Sequence, residues 1–276
     1  MTGVVRAELR KLSKRTATWV ITALFVLLLV GLSYALVPLV IAEAAEQSDP
    51  AELRAVALPQ NLPPTLYQFA SNNAVPFVFV LGALALGSEY RWRTLRVALV
   101  QRPGRAAVVT GKLMAVAVVV AALVLGLAVL AGIASVAVSP AIEQSAVAPE
   151  LGASLEALGG SWLILFTFAA LGMAVAALTR SPAVTIGLGL GYLLLVEPIL
   201  LALPVDASGW DRFTAALPNN AAATLSADES SLAVGFGAGG GGSELLSPEG
   251  AAVVIGAYLV LAAGIAVLAV ARRAPN

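Results

Sequence analysis

The chain has 276 residues, 59% of them hydrophobic and 12% charged, where soluble domains carry about 25% charged residues. Mean hydropathy is +0.92, so a water-exposed surface cannot be covered, and lipid must be the solvent for much of the protein. Equal numbers of acids and bases exclude bulk attraction to nucleic acid, and the lack of Cys and His removes disulfides, thiol nucleophiles, imidazole bases and the usual zinc ligands.

Residues 1–18 place Val5, Leu9 and Leu12 on one helical face and Arg6, Arg10 and Lys14 on another. That pattern predicts a short helix lying in the membrane interface, or a plain positive topology anchor. A first span is expected over 19–41, an uncharged stretch long enough to cross about 30 Å of hydrocarbon. Ala42-Glu43-Ala44 resembles a signal-peptide cleavage site. The apolar run before it exceeds the roughly 7–15 residues of a secretory core, so it reads as a span. The acids Glu43, Glu46, Asp49 and Glu52 that follow read either as a loose cation site or, in preference, as a solvated charge run that helps topology.

A second span is expected over 66–87, with a polar entry at Ser71-Asn72-Asn73. Residues 88–112 then form the one substantial cytoplasmic loop, in which Trp92, Leu95 and Leu99 recur at helical spacing before Pro103. This loop is either held at anionic headgroups or is a docking element for a soluble partner. Gly104 to Gly111-Lys112 is no phosphate-binding loop, because the spacing is two residues too long and Leu113 stands where Ser or Thr is required.

Further spans are expected over 113–138, 162–178, 183–203 and 251–270. The turn Thr179-Arg180-Ser181-Pro182 makes the fourth and fifth spans antiparallel neighbours, with Pro182 placed to open the fifth. Gly187 and Gly191 in the fifth span form a GxxxG, with Gly189 between them. Glu197 is the one ionisable residue well inside a span, about 21 Å along the helix from Ala183. Pro198 follows and removes a backbone bond. A carboxyl in lipid is costly unless neutralised, paired or wet. Glu197 therefore either lines a pathway or outer gate, or is a protonated or Arg212-paired residue that stabilises the outer end. Residues 204–250 form a long outer segment, with an aromatic part at Trp210 and Phe213 that sits at the interface or re-enters the membrane, then a flexible Gly-rich run from Gly235 to Gly242.

The charges set the orientation. With the N-terminus inside, all bases except Arg54 and Arg212 face the cytoplasm, as the positive-inside bias requires. The acids mirror this and lie in outer loops, except Glu8, Glu89 and Glu197. The expected fold is thus an all-α polytopic membrane protein of six transmembrane helices with both termini cytoplasmic.

Several segments together carry a family resemblance. They are Arg6-Ala7-Glu8-Leu9-Arg10-Lys11-Leu12 before the first span; Glu89-Tyr90-Arg91, Thr94-Leu95, Pro103, Arg105 and Gly111-Lys112-Leu113 in the loop; Glu197-Pro198; and Leu217-Pro218-Asn219-Asn220-Ala221. In this order on a six-span layout, the chain resembles the permease subunit of ABC-2-type ATP-driven transporters, of the kind common in actinobacteria. The resemblance implies an ABC-2 exporter-like (type V) transmembrane domain in a bacterial plasma membrane. It implies a separate ABC ATPase subunit that binds ATP and Mg, no cofactor in this chain, and a second permease copy or homologue to complete the conduit. It further implies an interfacial helix at 4–16 and a coupling helix within 89–105, carried by Glu89, Tyr90, Arg91, Arg93, Thr94, Leu95 and Arg96. A re-entrant outer segment would follow the fifth span, with Glu197, Pro198, Asn219 and Asn220 at a pathway or gate. Two other readings stand beside it: a proton-coupled secondary carrier using Glu197, and a non-transport membrane assembly or sensor protein.

Overall fold

The computed structural model describes residues 2–31, 34, 57–91, 104–142, 147–205, 207–227 and 246–272. The expected amphipathic segment around Trp92 to Leu99, the outer acids from Glu43 to Glu52, the end of the first span and the Gly-rich run lie outside the described residues, as do Arg93, Thr94, Leu95 and Arg96.

Every regular element among the described residues is helical. Helix α1 (Thr2–Lys14) and helix α2 (Thr16–Val30) meet at Arg15, whose extended backbone (φ −80°, ψ 127°) breaks the run. The two axes bend by 66° there. Five further helical runs are long and apolar enough to cross a bilayer. We label four of them α3 (Pro59–Arg91), α4 (Arg105–Val138), α5 (Leu151–Thr179) and α6 (Pro182–Ala202). After α6 come two short helices, α7 (Ser208–Ala215) and α8 (Pro218–Ser226), and the fifth long helix, α9 (Pro248–Ala271).

The helices outrun the apolar windows, because hydropathy marks only the part in hydrocarbon while backbone hydrogen bonding carries the helix beyond it. The loop expected over 88–112 is correspondingly shorter, since α3 continues to Arg91 and α4 starts at Arg105.

Helices α3 and α5 form the buried centre. Their backbones touch at two glycines: a Cβ at Gly82 would overlap the Ala169 carbonyl, and one at Gly172 would overlap the Phe79 carbonyl. Such contact is how helices gain dispersion energy in lipid, where no hydrophobic drive joins them. The same logic seats Gly189 of α6 on the Phe79 ring, whereas Gly187 and Gly191 meet nothing within 4 Å. The glycine between the GxxxG pair is therefore the one that packs. Helix α2 joins α3 through Phe25, edge-to-face with Phe69 and Phe77 at centroid distances of 6.0 and 5.9 Å. At the α5–α6 turn, Arg180 takes a left-handed conformation (φ 57°) and Ser181 caps α6.

Outside this centre, Val118, Leu125, Val129 and Ile133 of α4, Leu188 and Leu195 of α6, and Val253 and Val260 of α9 are exposed. Apolar surface this continuous is not left to water by a soluble protein. The fold is that of a multi-pass membrane protein.

Candidate functional site

Two polar sites lie at opposite ends of the bundle. The first lies where α3 ends and α4 begins. Helix α1 is amphipathic, but its buried face is not purely apolar: Glu8 is buried there beside Leu12, with Val5 and Leu9 half-buried alongside. This face lies on the start of α4, where Gly111 admits the Val4 side chain. Lys112, one residue on, is buried with its Nζ 2.5 Å from Glu8 Oε2 and 2.6 Å from Glu89 Oε1. Lys11 Nζ lies 2.7 Å from Glu8 Oε1 and 3.3 Å from Glu89 Oε1.

Two carboxylates and two ammonium groups thus form a neutral cluster that joins α1, the end of α3 and the start of α4. Burial by itself would raise the Glu8 carboxyl, but Lys112 and Lys11 outweigh it and hold the group below its ordinary value. Burial would lower Lys11, and Glu8 and Glu89 outweigh that and raise it. Glu89 Oε2 is buried and accepts no hydrogen bond among the described residues. Arg15 Nη1 adds a further tie by donating to the Leu84 carbonyl at 2.8 Å.

The second site is Glu197, fully buried on α6. Pro198 cannot donate to the preceding turn, and the helix widens into a π turn over Tyr192–Val196 just before Glu197, a usual response to a missing bond. The carboxylate does not pair with Arg212. Its Oε1 instead accepts from the backbone N–H groups of Asn219 and Asn220, each at 2.8 Å, at the start of α8.

That contact completes the accounting for a buried helix start. A helix begins with unpaired N–H donors. In α8, Pro218 has none, Asn219 and Asn220 give theirs to Glu197, and Ala221 N–H reaches the Leu217 carbonyl at 2.8 Å. The Asn220 amide also donates to the Thr214 carbonyl at 2.9 Å, which ties α8 back to α7. Oε2 of Glu197 is buried without a hydrogen bond of ordinary geometry, within the electrostatic reach of the Tyr192 and Tyr258 phenols.

Helix α8 has nine residues, about 13 Å of rise, which is too short to cross a bilayer. It is packed against α9 and against the π turn Phe69–Ala74 of α3, where Ser226 Oγ and Ser71 Oγ are 2.6 Å apart.

The structure thus places the expected site residues unevenly. Glu197, Pro198, Asn219 and Asn220 come together at one end. At the other, Glu89 is buried in the ionic cluster, Tyr90 is half-buried and Arg91 is exposed at the last turn of α3. Sequence reasoning missed Glu8, Lys11 and Lys112 as partners of Glu89. The usable signal was that Glu8 and Glu89 are the acids left among the bases. No three His, Cys, Asp or Glu side chains gather as metal ligands among the described residues.

Compared with known families, the chain matches the one described as ABC-2 family transporter protein, over residues 3–209. No curated protein matches it.

Proposed function

Because this chain belongs to the ABC-2 transporter family, we propose that it is the permease subunit of an ATP-driven transporter that exports a hydrophobic or amphipathic solute. In this reading ATP and Mg are bound by a separate ATPase subunit, and this chain supplies the membrane path. Two permease copies, identical or homologous, enclose that path in a bacterial plasma membrane, with both termini and the 92–104 segment on the cytoplasmic side. The distribution of bases supports this orientation.

The observation that carries the reading is the ionic cluster in which buried Glu8, Glu89 and Lys112 are joined by exposed Lys11. A segment that receives force from a soluble motor needs stiff ends. This segment leaves α3 three residues after Glu89 and enters α4 seven residues before Lys112, counting from residue 92 and Arg105. Both ends are clamped to α1 by charges that cannot part without exposing a bare ion in low dielectric. Glu89 is a positioning residue in this account, while Arg91, Arg93, Thr94, Leu95 and Arg96 are the docking candidates.

The test is uptake of a lipophilic dye into inverted vesicles that carry the permease and the ATPase encoded with it. ATP is expected to drive uptake. Arg93→Glu is expected to leave hydrolysis running while uptake falls. Uptake that follows a pH gradient without ATP favours the carrier reading and contradicts this one.

A further inference from the structure

Resting on the permease reading above, we propose that Glu197 is a latch that holds the half-crossing helix α8 against α6, and that release of α8 is the movement that opens the path at the end opposite the 92–104 segment. Three observations converge on this.

First, the contact joins residues far apart in the chain through one carboxylate oxygen, and that oxygen satisfies both remaining donors of the α8 start. Without it, α8 cannot stay buried with its N–H groups unpaired.

Second, α8 packs on α9 and on the π turn of α3 through small side chains. Its fully buried residues are Pro218, Ala221, Ala222, Thr224 and Ser226, so its core contacts are mostly small. Its far end is tied by the Ser71–Ser226 hydroxyl pair.

Third, uncharged groups do the fastening: two backbone N–H groups and the Tyr192 phenol meet Glu197, and no counter-charge does among the described residues. The helix surfaces flanking α8 also carry π turns, Phe69–Ala74 in α3 and Tyr192–Val196 on α6. Such turns are frequent at functional sites.

The chain contains no cysteine, so introduced thiols report without background. Ala222→Cys places a thiol on the buried face of α8. In nanodiscs, where both faces are open, its reaction with a water-soluble maleimide is expected to be slow in the parent. Glu197→Ala is expected to raise that rate by about tenfold or more, while Glu197→Gln, which keeps the carbonyl acceptor, stays within about threefold. A parent-like rate in Glu197→Ala overturns the latch. Should that variant not accumulate, Glu197→Asp takes its place, with a raised rate expected and a parent-like rate overturning the proposal.

The second arm pairs Ser71→Cys with Ser226→Cys. Their disulfide is expected to stop ATP-driven dye uptake, and a reductant to restore it. Uptake at the parent rate with the disulfide intact overturns α8 as the moving part. The labelling arm needs no ATPase, so a protein that shows the latch but no ATP-driven uptake would sink the permease reading alone.

Discussion

At the 92–104 end, Glu8 and Glu89 are met by whole charges, those of Lys11 and Lys112. At the other end, Glu197 is met by the partial charges of two backbone N–H groups and of the Tyr192 phenol. The first arrangement is neutral in itself and binds three helices into one unit. The second has no whole counter-charge among the described residues, and holds a helix that has few large side chains to anchor it. The difference suits a machine that takes up force at one end and yields at the other.

The comparison breaks first at Lys112. Lys112→Met leaves two buried carboxylates short of a counter-charge and should cost about 3–5 kcal/mol, read as a lower melting temperature in detergent. Adding Glu8→Gln and Glu89→Gln to it should recover most of the loss, because the buried charge is then gone. A parent-like melt for the single variant would mean that the cluster holds nothing.

Next comes Glu197→Ala, which strands two part-buried donors and should cost about 1–3 kcal/mol in all. The same melting measurement should show about half that loss or less for Glu197→Gln. If Gln costs as much as Ala, charge rather than acceptor geometry sustains the contact, and the two ends are alike.

Between the ends, the α3–α5 contact serves as a fixed frame. Gly82→Ala drives a methyl into the Ala169 carbonyl and should cost about 1–3 kcal/mol. Gly187→Ala meets open space and should be neutral or better by melting. Equal melts for the two would mean that the glycines are interchangeable and the frame is loose.

The smallest effect is in pH. The folded Glu8 carboxyl lies below its ordinary value of 4.5, so its contribution is present above 4.5 and is lost as pH falls below that. Lys11 is raised above 10.5, so its contribution is present below 10.5 and is lost at higher pH. Melting temperature should therefore be insensitive to the cluster between these limits and drop on the acid side. Glu8→Gln should blunt that acid limb. A cluster-dependent transition near neutral pH would contradict the assignment.

Much of the frame was legible in sequence, because lipid imposes a coarse rule that hydropathy reads directly. The long helices α3, α4, α5 and α9 each cover an expected apolar stretch, and α6 covers all of its stretch but Leu203. A break before the first span was legible, because residues 1–18 read as an interfacial helix, but its place at Arg15 and its 66° angle were not. The π turns were equally hidden, although Pro198 marked where one was needed.

At the sites, local pattern failed where contacts are long-range. On a helical wheel Glu8 falls on the same face as Val5 and Leu12, and it looked like an exception to be tolerated. Its partner Lys112 lies 104 residues away, as the structure shows. Glu197 stood out as an acid in lipid, but nothing near it in sequence announced that its partners are backbone groups of Asn219 and Asn220. The nearest hint was Leu217-Pro218-Asn219, a helix start with no side-chain cap of its own. All three acids that fall outside the acid-rich loops proved to be buried and bonded, so the breaches of the charge pattern marked the sites better than any motif did.

The account rests above all on coupling between this chain and a separate ATPase through the clamped segment. The full-length chain should be purified from native membranes by a C-terminal tag, and co-purifying ATP hydrolysis measured in nanodiscs for the parent and for Lys112→Met. The account predicts that an ATPase subunit with an intact phosphate-binding loop accompanies the parent, and that Lys112→Met weakens its retention or the permease's control of its hydrolysis. A parent that purifies without any ATPase, while still moving solute, would contradict it.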